Sequence, residues 1–179
     1  MDASLFHHLV DTWYDPLYRF ALSLSRNRDS ALDLTQQTFA RWAEKGSGLR
    51  DVSKAKSWLF TVLYREFLST QRRQRREGPP DSENFFESVP AEETSSSRSI
   101  DGHQAMAALQ EIDEVFRAPL ILFYLENHAY REIAEILDVP IGTVMSRISR
   151  GKEQLRRMLK TRQTERPGKV IPLRPAKEN

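Results

Sequence analysis

The sequence predicts an all-α protein of two helical domains, an N-terminal helical bundle and a C-terminal helix-turn-helix domain, joined by a flexible acidic linker. Three observations predict it. Apolar residues recur at steps of three and four over several segments, from Leu5 to Leu24 and again after Met106, which is the helical period. Between Glu77 and Ser99 the composition changes to Pro79-Pro80, the acids Asp81, Glu83, Glu87, Glu92 and Glu93, and the run Ser95-Ser96-Ser97, which cannot build a packed core. Finally, residues Tyr130 to Arg150 read as two short helices around a tight turn. The expected division is a helical domain over 1–76, a linker over 77–99, a helix-turn-helix domain over 100–160 and a basic, proline-containing tail over 161–179.

Composition agrees with two small cores. The chain has 179 residues, 39% hydrophobic, with a mean hydropathy of -0.59. No apolar run is long enough to cross a bilayer, and Met1-Asp2-Ala3-Ser4 lacks the basic region and apolar block of a signal peptide, so no membrane insertion is expected. Cysteine is absent, which excludes disulfides and thiolate metal sites and fits a cytoplasmic location. Net charge is only +2, but the sequence pI is about 9.0 and the basic residues are clustered. One cluster is Arg65, Arg72, Arg73, Arg75 and Arg76; the other runs from Arg147 through Arg150, Lys152, Arg156, Arg157 and Lys160 to Arg162. Two basic surfaces on either side of an acidic connector imply two contacts on a polyanion.

Taken in order, Leu5, Phe6, Leu9, Val10, Trp13, Leu17, Phe20, Ala21 and Leu24 define helical structure, which Asp15-Pro16 is expected to divide into two helices. His7, His8 and Asp11 do not suggest a metal site. Adjacent histidines diverge by about 100° on a helix, and no further ligand lies nearby. His103 and His128 are equally isolated, so neither a metal nor a cofactor is expected. A second helix should start at Asp29 or Ser30 and run to about Lys45, with Leu32, Phe39 and Trp42 facing the core. Leu34 and the polar row Asp33, Gln36, Gln37 and Arg41 fall on other faces. By pattern alone that row is a solvated face. Gly46 to Ser53 is a connector, followed by a helix from about Lys54 to Gln74 with Ala55, Trp58, Leu59, Val62 and Leu63 inward. Trp58 reads first as a core aromatic.

After the linker, helical character resumes near Ser99 or Ile100, with Met106, Leu109, Ile112 and Phe116 on one face. Pro119 is expected to kink or restart this helix before Leu120. Asn127 can close it in the left-handed region. Ala129, at the start of the next helix, offers no side-chain cap, at a cost of about 1 kcal/mol. Ile133, Ala134 and Leu137 then form one stripe, and Val144, Ile148, Gly151, Leu155 and Met158 another. Between them Asp138 tolerates a left-handed backbone, Val139 plugs the angle and Pro140 suits the entry to a helix. With the apolar stripe inward, Thr143, Ser146, Arg147 and Arg150 are expected to face outward, with Met145 and Ser149 beside them. Gly142 exposes backbone N–H groups where the helix dipole favours a phosphate. Hydroxyls and guanidinium groups there suit phosphates and base edges in a DNA major groove. An ordinary helical hairpin with a solvated basic face is the plainer alternative.

These residues carry a resemblance. Tyr130-x-Glu132-Ile133-Ala134, then Gly142-Thr143-Val144-x-Ser146-Arg147 and an arginine-rich amphipathic helix, is similar to the promoter-reading domain of sigma-70 family factors, most of all the extracytoplasmic-function class. The similarity extends over about Leu5 to Lys160. It implies a factor that binds bacterial RNA polymerase core and directs promoter-specific initiation. Gly142, Thr143, Ser146, Arg147 and Arg150 would then meet the minus-35 element. Asp33-Leu34-x-Gln36-x-x-Phe39 resembles the segment that grips the clamp helices of the polymerase largest subunit, which implies Asp33, Gln36, Gln37 and Phe39 as core-binding residues. Gln37 stands where the family often has Glu. Lys54-Ala55-x-x-Trp58-Leu59 resembles the part that opens the minus-10 element, implying Lys54, Lys56, Arg65, Arg72 and Arg73 as DNA contacts. Leu63-Tyr64-Arg65 departs from the family's Ala-Arg-Asn run. The resemblance further implies contact with the polymerase flap, a linker threading toward the active-site channel, and restraint by an anti-sigma factor.

Two other classes stay open on the sequence alone: a stand-alone helix-turn-helix transcriptional regulator, and a polymerase-binding module that leaves the basic helix idle. The chain is not expected to be an enzyme. It has no glycine-rich phosphate loop, no nucleophile with a paired base and no clustered ligands.

Overall fold

The computed structural model describes residues 3–45, 54–77 and 107–164. Among the described residues the regular structure is helical: α1 (Ala3–Ser25), α2 (Arg28–Lys45), α3 (Ala55–Glu77), the short α4 (107–111), α5 (Glu114–Tyr124), α6 (Tyr130–Leu137) and α7 (Ile141–Thr164). The expectations for the Gly46 connector, for the acidic linker and the helix start near Ser99 or Ile100 with Met106, and for most of the proline-containing tail lie outside the described residues.

In the N-terminal module α1, α2 and α3 enclose Leu9, Leu17, Phe20, Leu34, Trp42, Leu59 and Leu63, all buried. Pro16 does not divide α1, which runs unbroken from Ala3 to Ser25. An internal proline costs about 3 kcal/mol in a lost hydrogen bond and a ring clash. Leu9 before it and Leu17, Phe20, Ala21 and Leu24 after it enter the same core, so burial on both sides outweighs that cost. The cap of α2 is Asn27 instead of Asp29 or Ser30: its Oδ1 accepts from the Ser30 amide at 2.9 Å, and Ala31 N donates to its carbonyl.

The inward face of α2 also differs from expectation. Ala31, Leu34, Thr35, Thr38, Phe39 and Trp42 are buried, whereas Leu32 is 36% exposed. Two threonines in the stripe hid its phase. Thr35 Oγ1 donates to Ala31 O at 2.8 Å and Thr38 Oγ1 to Leu34 O at 2.7 Å, so both hydroxyls enter the core already satisfied.

In the C-terminal module α5, α6 and α7 surround Leu120, Ile121, Leu122, Ile133, Ile136, Val144 and Ile148. The restart expected at Pro119 occurs six residues earlier, because Asp113 is the cap of α5 and accepts from Val115 N at 3.0 Å. Pro119 is carried inside α5. α7 crosses α5 at Gly151, where a Cβ would stand 2.8 Å from Leu120 Cδ1 and 3.1 Å from Phe116 Cβ. A side chain there would have to displace the Leu120 side chain and crowd Phe116. α7 continues past Lys160 to Thr164.

Ala129 precedes α6 as an uncapped start. Its own amide donates to Glu132 Oε2 at 2.8 Å, which is half of a capping box, and its methyl cannot supply the other half. Ala129→Ser is therefore expected to raise stability by about 0.5–2 kcal/mol. Urea unfolding followed by circular dichroism checks this; no gain would mean that the serine hydroxyl fails to reach the amide of Glu132.

The two modules pack directly on each other, α1 against α5 and α3 against α6. For this α3 needs a second apolar face. Leu59 and Leu63 point into the N-terminal core, and Phe60 points toward the C-terminal module, where its ring meets His128 at 4.8 Å, edge to face.

Candidate functional site

The helix-turn-helix follows from the turn. Asp138 takes φ 53° and ends α6 in the left-handed region, Val139 N returns to Ala134 O, and Val139 packs on the core between the helices. Asn127, also at φ 53°, closes the preceding segment as the sequence suggested. Pro140 O accepts from Thr143 N at 2.9 Å and Val144 N at 3.2 Å, so α7 starts on its carbonyl.

The N-terminal turn of α7 is open on one side. Gly142 is exposed, with nothing within 4 Å of where a Cβ would stand, so a phosphate can approach the helix start closely. Ser146 and Arg150 are exposed on the same side, and Ser146 Oγ donates to Thr143 O at 2.9 Å. Thr143 and Arg147 differ: both are half-buried, on the flank of α7 nearer the core stripe. Arg147 lies close enough to Tyr64 of α3 for its charge to act on the phenol. Ile141 and Met145, exposed at 48% and 53%, complete the outer surface of this turn.

On the N-terminal module Lys54, Arg65, Arg72 and Arg73 are exposed on α3 or just before it. Lys56 is not. Its ammonium donates to Glu126 O of the α5–α6 connection and stands 5.5 Å over the Trp13 ring. Asp33, Gln36 and Gln37 form an exposed row on α2. Phe39 does not belong to that row. It is 6% exposed and packed against Tyr14 and Phe6, because its place in the α2 stripe turns it inward. Leu32, which the pattern had sent to the core, supplies the exposed apolar side chain beside Asp33.

The seam between the modules is polar and ordered. Arg26 Nη2 donates to Ile112 O at 3.3 Å, Ser57 Oγ to Glu132 Oε1 at 3.1 Å, and Tyr64 OH and Gln71 Nε2 to the Glu114 carboxylate at 3.4 and 3.5 Å. Arg19 pairs with Glu126 at 3.5 Å. Burial, reinforced by Glu114, pushes the Tyr64 phenol up to about 12, and burial likewise raises the Glu114 and Glu126 carboxyls. Arg117, 2% exposed, donates to Gln110 O and Ile112 O; burial and the neighbouring Arg26 lower it to about 10. Among the described residues no group of three or more His, Asp or Glu could hold a metal ion, and no helix is long and apolar enough to cross a membrane.

This architecture matches known families at both ends. The Sigma-70 region 2 model matches residues 9–77 and the Sigma-70 region 4 model matches residues 103–155. Among individual proteins, the chain is 31% identical over 143 residues to the ECF RNA polymerase sigma factor EcfG of Rhodopseudomonas palustris, covering 80% of this chain and 78% of that protein. The chain belongs to the sigma-70 family, in its extracytoplasmic-function class. It is also 35% identical over 164 residues to the ECF sigma factor SigE of Mycolicibacterium smegmatis, where it covers 88% of this chain and 62% of that longer relative. Among solved structures, the sigma factor RpoE of Bartonella quintana, in complex with the anti-sigma factor NepR, aligns with a TM-score of 0.74 and 33% identity over 87% of this chain and 96% of that one.

Factors of this family bind RNA polymerase core and promoter DNA without being enzymes themselves, and the two modules of this sigma factor correspond to its region 2 and region 4. Sequence reasoning missed the seam. Phe60 and His128 carried no signal of it, since one reads as a spare aromatic and the other as an isolated histidine. The acids Glu114, Glu126 and Glu132 held the only hint, a negative edge on an otherwise basic domain.

Proposed function

We propose that this cytoplasmic sigma factor reads the minus-35 element through Gly142, Thr143, Ser146, Arg147 and Arg150, and opens the minus-10 element with Lys54, Lys56, Arg65, Arg72 and Arg73. The helix start at Gly142, open to a backbone phosphate and flanked by Ser146 and Arg150, is the observation that carries this reading. Arginine can bond guanine in two places at once, and a hydroxyl can serve base or phosphate. The exposed arginines at the end of α3 suit a separated strand, whose backbone they can track while its bases unstack. Core polymerase would be held by the outer row of α2, Asp33, Gln36 and Gln37, with Leu32 as its apolar member. An anti-sigma protein is the regulator this reading implies, since the aligned RpoE structure is such a complex.

The test is reconstitution. Mixed with core polymerase, the chain is expected to co-elute and to start transcription from a defined subset of genomic promoters, with neither component active alone. Tight binding of an operator without polymerase would instead make it a stand-alone regulator. Co-elution without initiation would leave it a polymerase-binding module.

A further inference from the structure

His128 is the only described histidine inside the fold, its side chain fully buried between the two modules. Neither ring nitrogen makes a hydrogen bond: Nδ1 stands 3.5 Å from Glu132 Oε2, and the ring edge meets Phe60 of α3 at 4.8 Å. A neutral imidazole can be accommodated there as an aromatic packing piece. An imidazolium is disfavoured there, because burial and the neighbouring Lys56 ammonium outweigh the pull of the Glu132 carboxylate.

We propose that the seam is an acid-released latch: protonation of His128 unclasps α6 from α3 and uncovers Lys56 and Arg147 for promoter DNA. Lys56 is held by the clasp, and Arg147 lies beside it. Lys56 is capped by Glu126 O, and Arg147 is half-buried facing Tyr64. Lys56 of α3 and Glu132 of α6 act on the ring directly, and Arg19 of α1, Glu114 of α5 and Glu126 of the α5–α6 connection complete the charges of the same seam.

Burial first, then Lys56, lower His128 from 6.5 to about 4 in the closed chain, so opening takes up a proton and closure weakens as pH falls below 6.5. Glu126 works in the opposite direction, since burial raises its carboxyl and closure favours its protonated form below that raised value. Glu132 is pushed up by burial but pulled further down by the Ala129 amide and the Ser57 hydroxyl. Its contribution is lost only below its ordinary 4.5, which is beneath the window of His128. His128 by itself raises the open fraction relative to the closed one about tenfold between pH 7.5 and 5.5, and the raised Glu126 and Glu114 carboxyls oppose that rise.

The absence of cysteine makes this measurable in the full chain. Cysteines placed at exposed Ala43 on α2 and Gln154 on α7 accept a donor and an acceptor dye at two known positions. Energy transfer is expected to fall as pH drops from 7.5 to 5.5, with helical circular dichroism unchanged. His128→Phe, which keeps the packing on Phe60 without a titrating group, should hold transfer constant over that range. His128→Gln is a second neutral variant in case the phenyl ring does not fit. A flat profile in the parent chain, or the same pH response in both variants, overturns the latch. The readout is the distance between modules and involves neither DNA nor polymerase, so it can fail while the proposed function stands; only the consequence for Lys56 and Arg147 rests on that function.

Discussion

Trp42→Ala is expected to cost about 3–5 kcal/mol of stability, the range for deleting a large buried aromatic. Trp42 is 1% exposed and its indole meets Trp58 edge to face at 5.1 Å, so truncation leaves a cavity between α2 and α3 and strips one side of Trp58. A loss of that size is a large share of the roughly 5–15 kcal/mol that holds a typical domain. Polymerase binding should fall with it, because the outer row of α2 is presented only while the inner face is docked. The indole Nε1 is buried without a hydrogen-bond partner, which gives a discriminating control. Trp42→Phe removes the unsatisfied N–H together with some volume, and it should cost well under half of what Ala costs. Urea unfolding of the three proteins measures both. A cost for Ala below about 1.5 kcal/mol would mean that the site collapses around the missing ring.

Arg147→Ala is expected to weaken binding of the holoenzyme to its promoter by about 1–3 kcal/mol, roughly 5- to 150-fold. The comparison that matters is between the cognate promoter and one with a scrambled minus-35 element, each titrated over a range of salt. Loss confined to the cognate sequence assigns a base contact. A uniform loss, with the salt slope reduced by about one, assigns a phosphate contact. If affinity is unchanged on both templates, Arg147 serves only the seam beside Tyr64, and Ser146 and Arg150 carry the recognition. Its half-buried position in the closed chain is the reason the experiment is done on holoenzyme.

The elements themselves were legible because each helix buries a stripe with its own period. The turn at Asp138-Val139-Pro140 was legible for a different reason, since left-handed backbone, an apolar plug and a helix-starting proline each demand particular residues. Where the reading went astray, tertiary burial had overruled a local rule. Pro16 and Pro119 break helices in isolation, yet both are carried inside α1 and α5 by apolar residues on either side. Leu32 and Leu34 exchanged places because Thr35 and Thr38 satisfy their hydroxyls on the preceding turn and so pass as core residues. Phe39 faces the core as its spacing predicts, so its ring is claimed by Tyr14 and Phe6 and is not offered to a partner beside Asp33 and Gln36.

The order and type of the helices, the helix-turn-helix and the separation of basic from acidic segments were determined by the sequence, since periodicity, turn chemistry and charge are properties of neighbours along the chain. That α3 has two buried faces, that Lys56 is engaged by the opposite module with Arg147 half-buried nearby, and that His128 is sealed in the seam were decided only by tertiary packing. Those facts depend on which surfaces meet across gaps of 43 to 75 residues, as Gln71 with Glu114 and Ser57 with Glu132 do, and no local pattern encodes the partner of a surface so far away.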